Sequence, residues 1–149
     1  MGEGSLQKAL RLVRSGRAQD AIPMLLDAVQ HRSGASMAHA LLIEAWTASG
    51  DRQQALLSLK SSLELPITGA DVADALGFYA RQLDQHEASN QCYRKAVALA
   101  PNEAELWYNF ATSERALGRL AEAAEACRRA LHLAPDYRPA ILLRSEVTK

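Results

Sequence analysis

Along the last third of the chain, apolar and small residues recur at helical spacing. In the run Ala104-Glu105-Leu106-Trp107-Tyr108-Asn109-Phe110-Ala111 an aromatic opens a helix and a small residue follows one turn later. Gly118 breaks that helix, and Ala123, Cys127 and Ala130 mark the close-packed stripe of a second one that stops at Pro135. Glycine as a break and proline as a stop are the punctuation of a helix-turn-helix unit. Stepping back 34 residues at a time repeats the marks: Gly118 falls on Asp84, Gly50 and Gly16, Ala123 on Ser89, Ala55 and Ala21, and Pro135 on Pro101. A turn and a small residue held at one spacing through four copies define a repeat architecture.

The pattern predicts first helices over 5–15, 36–49, 70–83 and 104–117 and second helices over 18–31, 52–65, 86–100 and 120–134. Asp136-Tyr137-Arg138-Pro139 opens a ninth helix over 138–148, with Pro139 tolerated in its first turn. Several residues depart from the repeat. Pro23 falls inside a second helix, where it removes a hydrogen bond and is expected to shift the helix start or bend it. Pro66 comes one residue earlier than Pro101 and Pro135 do, so its exit loop should differ locally. Thr68 with Asp71, and Asn102 with Glu105, are placed to cap the helices that follow them. Asp84 tolerates turn geometry, and Ser89 is small enough to preserve close approach.

Leu76-Gly77, Ala96 and Pro101, with Trp107, Ala111, Gly118, Ala123, Ala130 and Pro135, resemble the tetratricopeptide repeat (TPR). The resemblance covers nearly the whole chain. It implies an all-α, right-handed TPR superhelix in which four helix-turn-helix repeats, approximately 2–35, 36–69, 70–103 and 104–137, and a capping helix at 138–148 form one domain over 1–149. First helices then line a concave groove. Lys8 stands where the family has a large apolar residue, which fits an atypical terminal repeat, and Trp46 stands where the family often has tyrosine.

The register assigns to the groove Leu6, Leu10, Val13 and Arg14, then Met37, Ala40, Leu41 and Glu44. It continues with Asp71, Asp74, Phe78 and Arg81, then Glu105, Tyr108, Asn109, Thr112 and Arg115. Leu10, Met37 and Leu41 read equally well as inter-helix core. Asn109 matches a place where TPR proteins commonly hydrogen-bond a ligand backbone. The co-chaperones of this family grip a C-terminal carboxylate with Lys, Arg and Asn residues. Here the corresponding positions are Leu6, Leu10, Ala40 and Glu44, which do not match that set.

Composition supports helices: of 149 residues 48% are hydrophobic but only 5% aromatic, with Ala and Leu prominent, which favours close packing through small side chains. Lys plus Arg and Asp plus Glu number 17 each, so no net charge attracts nucleic acid or an anionic membrane. The first residues, Met1 to Leu6, lack the features of a signal peptide or a myristoylation signal, and no apolar run reaches membrane-spanning length. A cytoplasmic location is expected. Cys92 and Cys127 sit at nearly matching places on the second helices of adjacent repeats and read first as reduced, packed thiols, with a disulfide or redox switch as the alternative.

No arrangement for catalysis emerges. His31, His39, His86 and His132 are scattered, and metal-binding, nucleotide-binding and nucleophile-elbow motifs are missing. Glu122 and Glu125 followed by Arg128-Arg129 give ordinary ion pairs on a helix surface. Trp107 to Thr112, Leu117 to Leu120, Glu125-Ala126-Cys127 and Leu142-Leu143-Arg144-Ser145 are similar to the TPR region that precedes the catalytic domain of bacterial TPR-sulfotransferases. The reading is therefore a non-catalytic module, without cofactor or metal, that binds a peptide or protein segment in its concave groove. One alternative is the substrate-presenting region of a transferase whose catalytic domain lies beyond Lys149. Another is a scaffold that self-assembles through its exposed ends; the chain is expected to be a monomer or a weak homo-oligomer.

Overall fold

Helix follows helix because each copy carries one buried stripe at 3.6-residue spacing and a break where the stripe ends. The computed structural model describes residues 2–31 and 35–149. Among the described residues there are nine α-helices and no strand: α1 Gly2–Arg14, α2 Ala18–Gln30, α3 Ala35–Ala48, α4 Arg52–Leu63, α5 Ala70–Gln82, α6 His86–Leu99, α7 Ala104–Ala116, α8 Leu120–Leu133 and α9 Arg138–Val147. They form two compact units, with α1–α4 in the unit ending at Ile67 and α5–α9 in the unit starting at Thr68.

The four turns are built alike. Gly16, Gly50 and Gly118 have φ of 81°, 81° and 75°, and Asp84 takes the same left-handed conformation at φ 60°. In each turn an amide reaches back to a carbonyl on the last helical turn: Arg17 to Leu12 at 2.8 Å, Asp51 to Trp46 at 2.9 Å, Gln85 to Ala80 at 2.8 Å and Arg119 to Glu114 at 3.0 Å. This is the Schellman ending, which satisfies orphan carbonyls and needs a left-handed residue. The small residues at matching spacing are sealed in: Ala21, Ala55 and Ala123 are 0% exposed and Ser89 is 1% exposed.

In the first unit, α2 packs against α1 and α3, and α3 packs against α4. The core there gathers Ala9, Val13, Ala21, Ile22, Leu25, Leu41 and Leu42, with Trp46 packed on it as the register requires. In the second unit α5 pairs with α6 and α7 with α8. Gly77 lets α5 and α6 approach closely: a Cβ there would lie 2.9 Å from the Tyr93 ring, and the Ser89 hydroxyl donates to the Gly77 carbonyl at 2.7 Å. Helix α9 closes the end of α8 by burying Ala140, Leu143 and Val147.

Several local expectations are corrected. Helix α2 starts at Ala18 with Pro23 inside it, so the proline does not shift the start. The N-cap of α5 is Gly69 and that of α7 is Glu103, both extended and without a side-chain cap bond, so Thr68 and Asn102 lie outside the helices they were expected to cap. A cap contributes about 1 kcal/mol, whereas burying Leu76 or Leu106 contributes about 2 kcal/mol or more; packing therefore sets where these helices begin. Helix α4 ends at Leu63, two residues short of its expected end at 65, and the Ser36 hydroxyl bonds the Pro66 carbonyl at 3.3 Å in the altered exit loop. The side chain of Asp51 does cap α4, accepting from the Gln54 amide at 3.1 Å.

Candidate functional site

Burial of Val72, Ala73, Leu76, Gly77 and Ala80 against α6 leaves the other side of α5 to Asp71, Asp74, Phe78 and Arg81. Phe78 is 41% exposed, and the Arg81 guanidinium lies 5.5 Å from its ring centroid. Helix α7 adds Asn109, whose amide donates to Asp74 Oδ1 at 3.0 Å and so ties the two first helices of this unit together. Burial pushes the Asp74 carboxyl above its ordinary range, against the opposing pull of that hydrogen bond. Tyr108 stands edge-on to Tyr137 at 5.7 Å, while Glu105 is exposed. Between α7 and α9 an open cleft of about 420 Å³ is lined by Tyr108, Arg115, Arg138, Leu142, Leu143 and neighbouring residues.

Two predicted contact residues are occupied within the chain. The Thr112 hydroxyl donates to the Tyr108 carbonyl at 3.0 Å, and Arg115 pairs with Glu146. In the first unit, Ala40 and Leu41 are 1% and 6% exposed and belong to the interior, as does Val13 at 8%. Leu6, Leu10 and Met37 are half-buried against the same core, and Glu44 is half-buried. The apolar part of the expected groove is thus largely inter-helix packing, because α3 is wedged between α2 and α4. Of the Leu142 to Ser145 segment, Leu143 is 4% exposed and serves the core, while the other three residues are exposed.

A second constellation escaped the sequence reading. Glu114 is 1% exposed although its side chain ends in a carboxyl group. Its Oε1 lies 3.5 Å from Arg94 Nη2 and its Oε2 3.6 Å from Arg119 Nη1, and Oε2 accepts no hydrogen bond. Beside it Asn90, also 1% exposed, donates to Ser113 Oγ at 3.0 Å. The signal lay in the spacing: Glu114 is 34 residues beyond Ala80 and 68 beyond Trp46, so a carboxylate stands where earlier copies place core residues.

Three reactive side chains, Cys92, Cys127 and His39, are sequestered. Cys92 and Cys127 are free and buried; burial pushes the Cys92 thiol up to about 11 and raises Cys127 as well, which disfavours the nucleophilic thiolate. His39 is 6% exposed, its Nδ1 has no hydrogen-bond partner, and burial lowers its pKa. Among the described residues, no group of three His, Cys, Asp or Glu is placed to hold a metal ion, and no helix is long and apolar enough to cross a membrane.

The fold has solved counterparts. MamA aligns over 93% of this chain and 86% of its own at 20% identity, with a TM-score of 0.69. The pilF protein of Pseudomonas aeruginosa aligns over 98% of this chain and 67% of its own at 18% identity, with a TM-score of 0.76. YrrB, described as a TPR protein with an unusual peptide-binding site, aligns over 96% and 74% at 18% identity, with a TM-score of 0.75. At such identities the likeness is one of fold. No curated protein matches the chain in sequence. The family model for the tetratricopeptide repeat matches residues 6–70 and again 71–138. Two consecutive matches over most of the chain, joined to four Schellman turns at one spacing, place this protein in the tetratricopeptide repeat family.

Proposed function

We propose that the chain is a non-catalytic protein-interaction module that takes an extended or helical peptide on the first-helix surface of its second unit. The observation that carries this is the group formed by Phe78 under Arg81 and by Asn109 on Asp74. A large ring left 41% exposed beside a backbone-bonding amide offers both apolar contact and hydrogen-bond specificity. Asn109 uses one amide donor on Asp74 and keeps its carbonyl oxygen for a ligand amide. Asp71, Asp74 and Glu105 favour basic groups in the peptide, with Arg81 selecting an acidic one. Tyr108 and the adjoining cleft extend the surface toward α9. With Arg115 and Thr112 engaged internally, these two residues shape the surface more than they grip a ligand. Met37 and Glu44 belong to the corresponding first-helix surface of the first unit.

The test is selection of peptides from a random displayed library on the full chain, followed by rebinding to Tyr108→Ala/Asn109→Ala. We expect unchanged helical circular dichroism and weakening of about 30-fold, equivalent to ~2 kcal/mol. Binding that survives this pair but is lost on replacing Arg128 and Arg129 moves the interaction to the second-helix surface.

A second reading, weak self-association, is favoured by the apolar side chains that α9 leaves in the open, Leu142 at 56% and Ile141 at 39% exposure. Light scattering over a concentration series decides it, with a constant monomer mass ruling it out.

A further inference from the structure

At about 100° per residue, Trp107, Phe110 and Glu114 lie on the side of α7 roughly opposite Tyr108, Thr112 and Arg115. There α6, α7 and α8 line an open pocket of about 400 Å³, distinct from the first-helix surface. Its apolar wall is the ring pair Trp107 and Phe110, with centroids 6.2 Å apart. The Trp107 indole N–H donates to the Pro101 carbonyl at 2.7 Å, which holds that ring in place.

The chain shows what these rings accept. The Arg129 guanidinium lies 5.4 Å from the Trp107 centroid and that of Arg94 5.6 Å from Phe110, so both faces carry cations already. Those two side chains are 59% and 62% exposed, so an incoming group can displace them. The wall's cations are also spoken for: Arg94 lies 3.5 Å from Glu114, and Arg129 lies 3.6 Å from Glu125. Of its three carboxylates, Glu114 is flanked by Arg94 and Arg119 and Glu125 by Arg128 and Arg129, whereas Glu122 makes no ion pair among the described residues. An anion would find no uncommitted partner here, whereas a planar cation would find a free acceptor in Glu122 beside rings that already hold exposed, displaceable guanidinium groups.

We propose that this pocket binds an arginine side chain from a basic peptide segment of a protein partner. The incoming guanidinium takes a ring face now covered by Arg129 or Arg94 and pairs with Glu122. The buried Glu114 retains the displaced Arg94 close by. This site is independent of the first-helix surface, so either assignment stands or falls alone.

The test uses the full chain labelled with nitrogen-15, following the Trp107 indole N–H during titration with the peptide acetyl-Gly-Arg-Gly-Arg-Gly-amide. The control peptide carries citrulline for arginine, which keeps the shape but replaces guanidinium by a neutral urea. A saturable shift at Trp107 and Glu122 is expected with the arginine peptide, with citrulline binding weaker by about fivefold or more. Glu122→Gln, an exposed change on α8 that leaves packing untouched, should weaken the arginine peptide by about threefold. Equal binding of the two peptides overturns the proposal, as does indifference to Glu122→Gln. Shifts centred on Tyr108 and Thr112, or none at ~10 mM peptide, overturn it as well.

Discussion

At the scale of single residues, two buried positions set tolerances that can be measured. Gly77 meets the ring of Tyr93, which is 1% exposed, so the ring has no free space into which to retreat. Gly77→Ala should therefore destabilise the second unit by about 1–3 kcal/mol despite the better helix propensity of alanine, as read by thermal or urea unfolding. An unchanged midpoint would mean that α5 and α6 are further apart than described. His39 acts through protonation instead. Burial holds its pKa below the ordinary 6.5, so the folded chain binds this proton less readily than the unfolded chain. The stability it contributes is complete above about 6.5 and declines as pH falls below that value, toward the depressed folded pKa. Melting temperatures of wild type and His39→Gln should accordingly converge as pH is lowered from about 7.5 to 5. Parallel curves would show that His39 is equally protonated in both states.

At the scale of elements, α2 carries a defect that α4, α6 and α8 lack. Pro23 is exposed inside it, with no amide hydrogen to return to the carbonyl one turn earlier. The buried Ala18, Ala21, Ile22 and Leu25 keep the helix in place nonetheless. Pro23→Ala should restore the missing bond and raise the stability of the first unit by about 1–3 kcal/mol, seen as a higher melting temperature. A loss of stability would reveal that the proline ring makes contacts worth more than the bond. The turns were the most legible elements, since Gly16, Gly50 and Gly118 announce their left-handed backbone and Asp84 is a side chain that tolerates it. Caps were the least legible. Thr68 and Asn102 carry capping chemistry, but one-residue placement of a helix end is decided by which side chains are buried beyond it.

At the scale of the whole molecule, the second unit has its own core, in which Ala111, Ala123, Ala126, Cys127, Leu143 and Val147 pack together. Repeat arrays are stabilised by nearest neighbours, so a fragment of residues 68–149 should fold by itself with a cooperative, helical melt. Non-cooperative melting of that fragment would show that its core is insufficient alone. The sequence by itself determined the all-α class, the 34-residue period, the positions of the turns and the small residues that the helices press together. These follow from local backbone chemistry and from periodicity, both of which are written along the chain. Tertiary structure alone decided which positions stay available. Ala40 and Leu41 share a helix side with Glu44, yet packing from α2 and α4 takes them into the interior. Arg115 is drawn to Glu146, 31 residues away. Glu114 is a buried carboxyl on which Arg94 and Arg119 converge from separate elements, and the distance between such groups is set only when the helices pack.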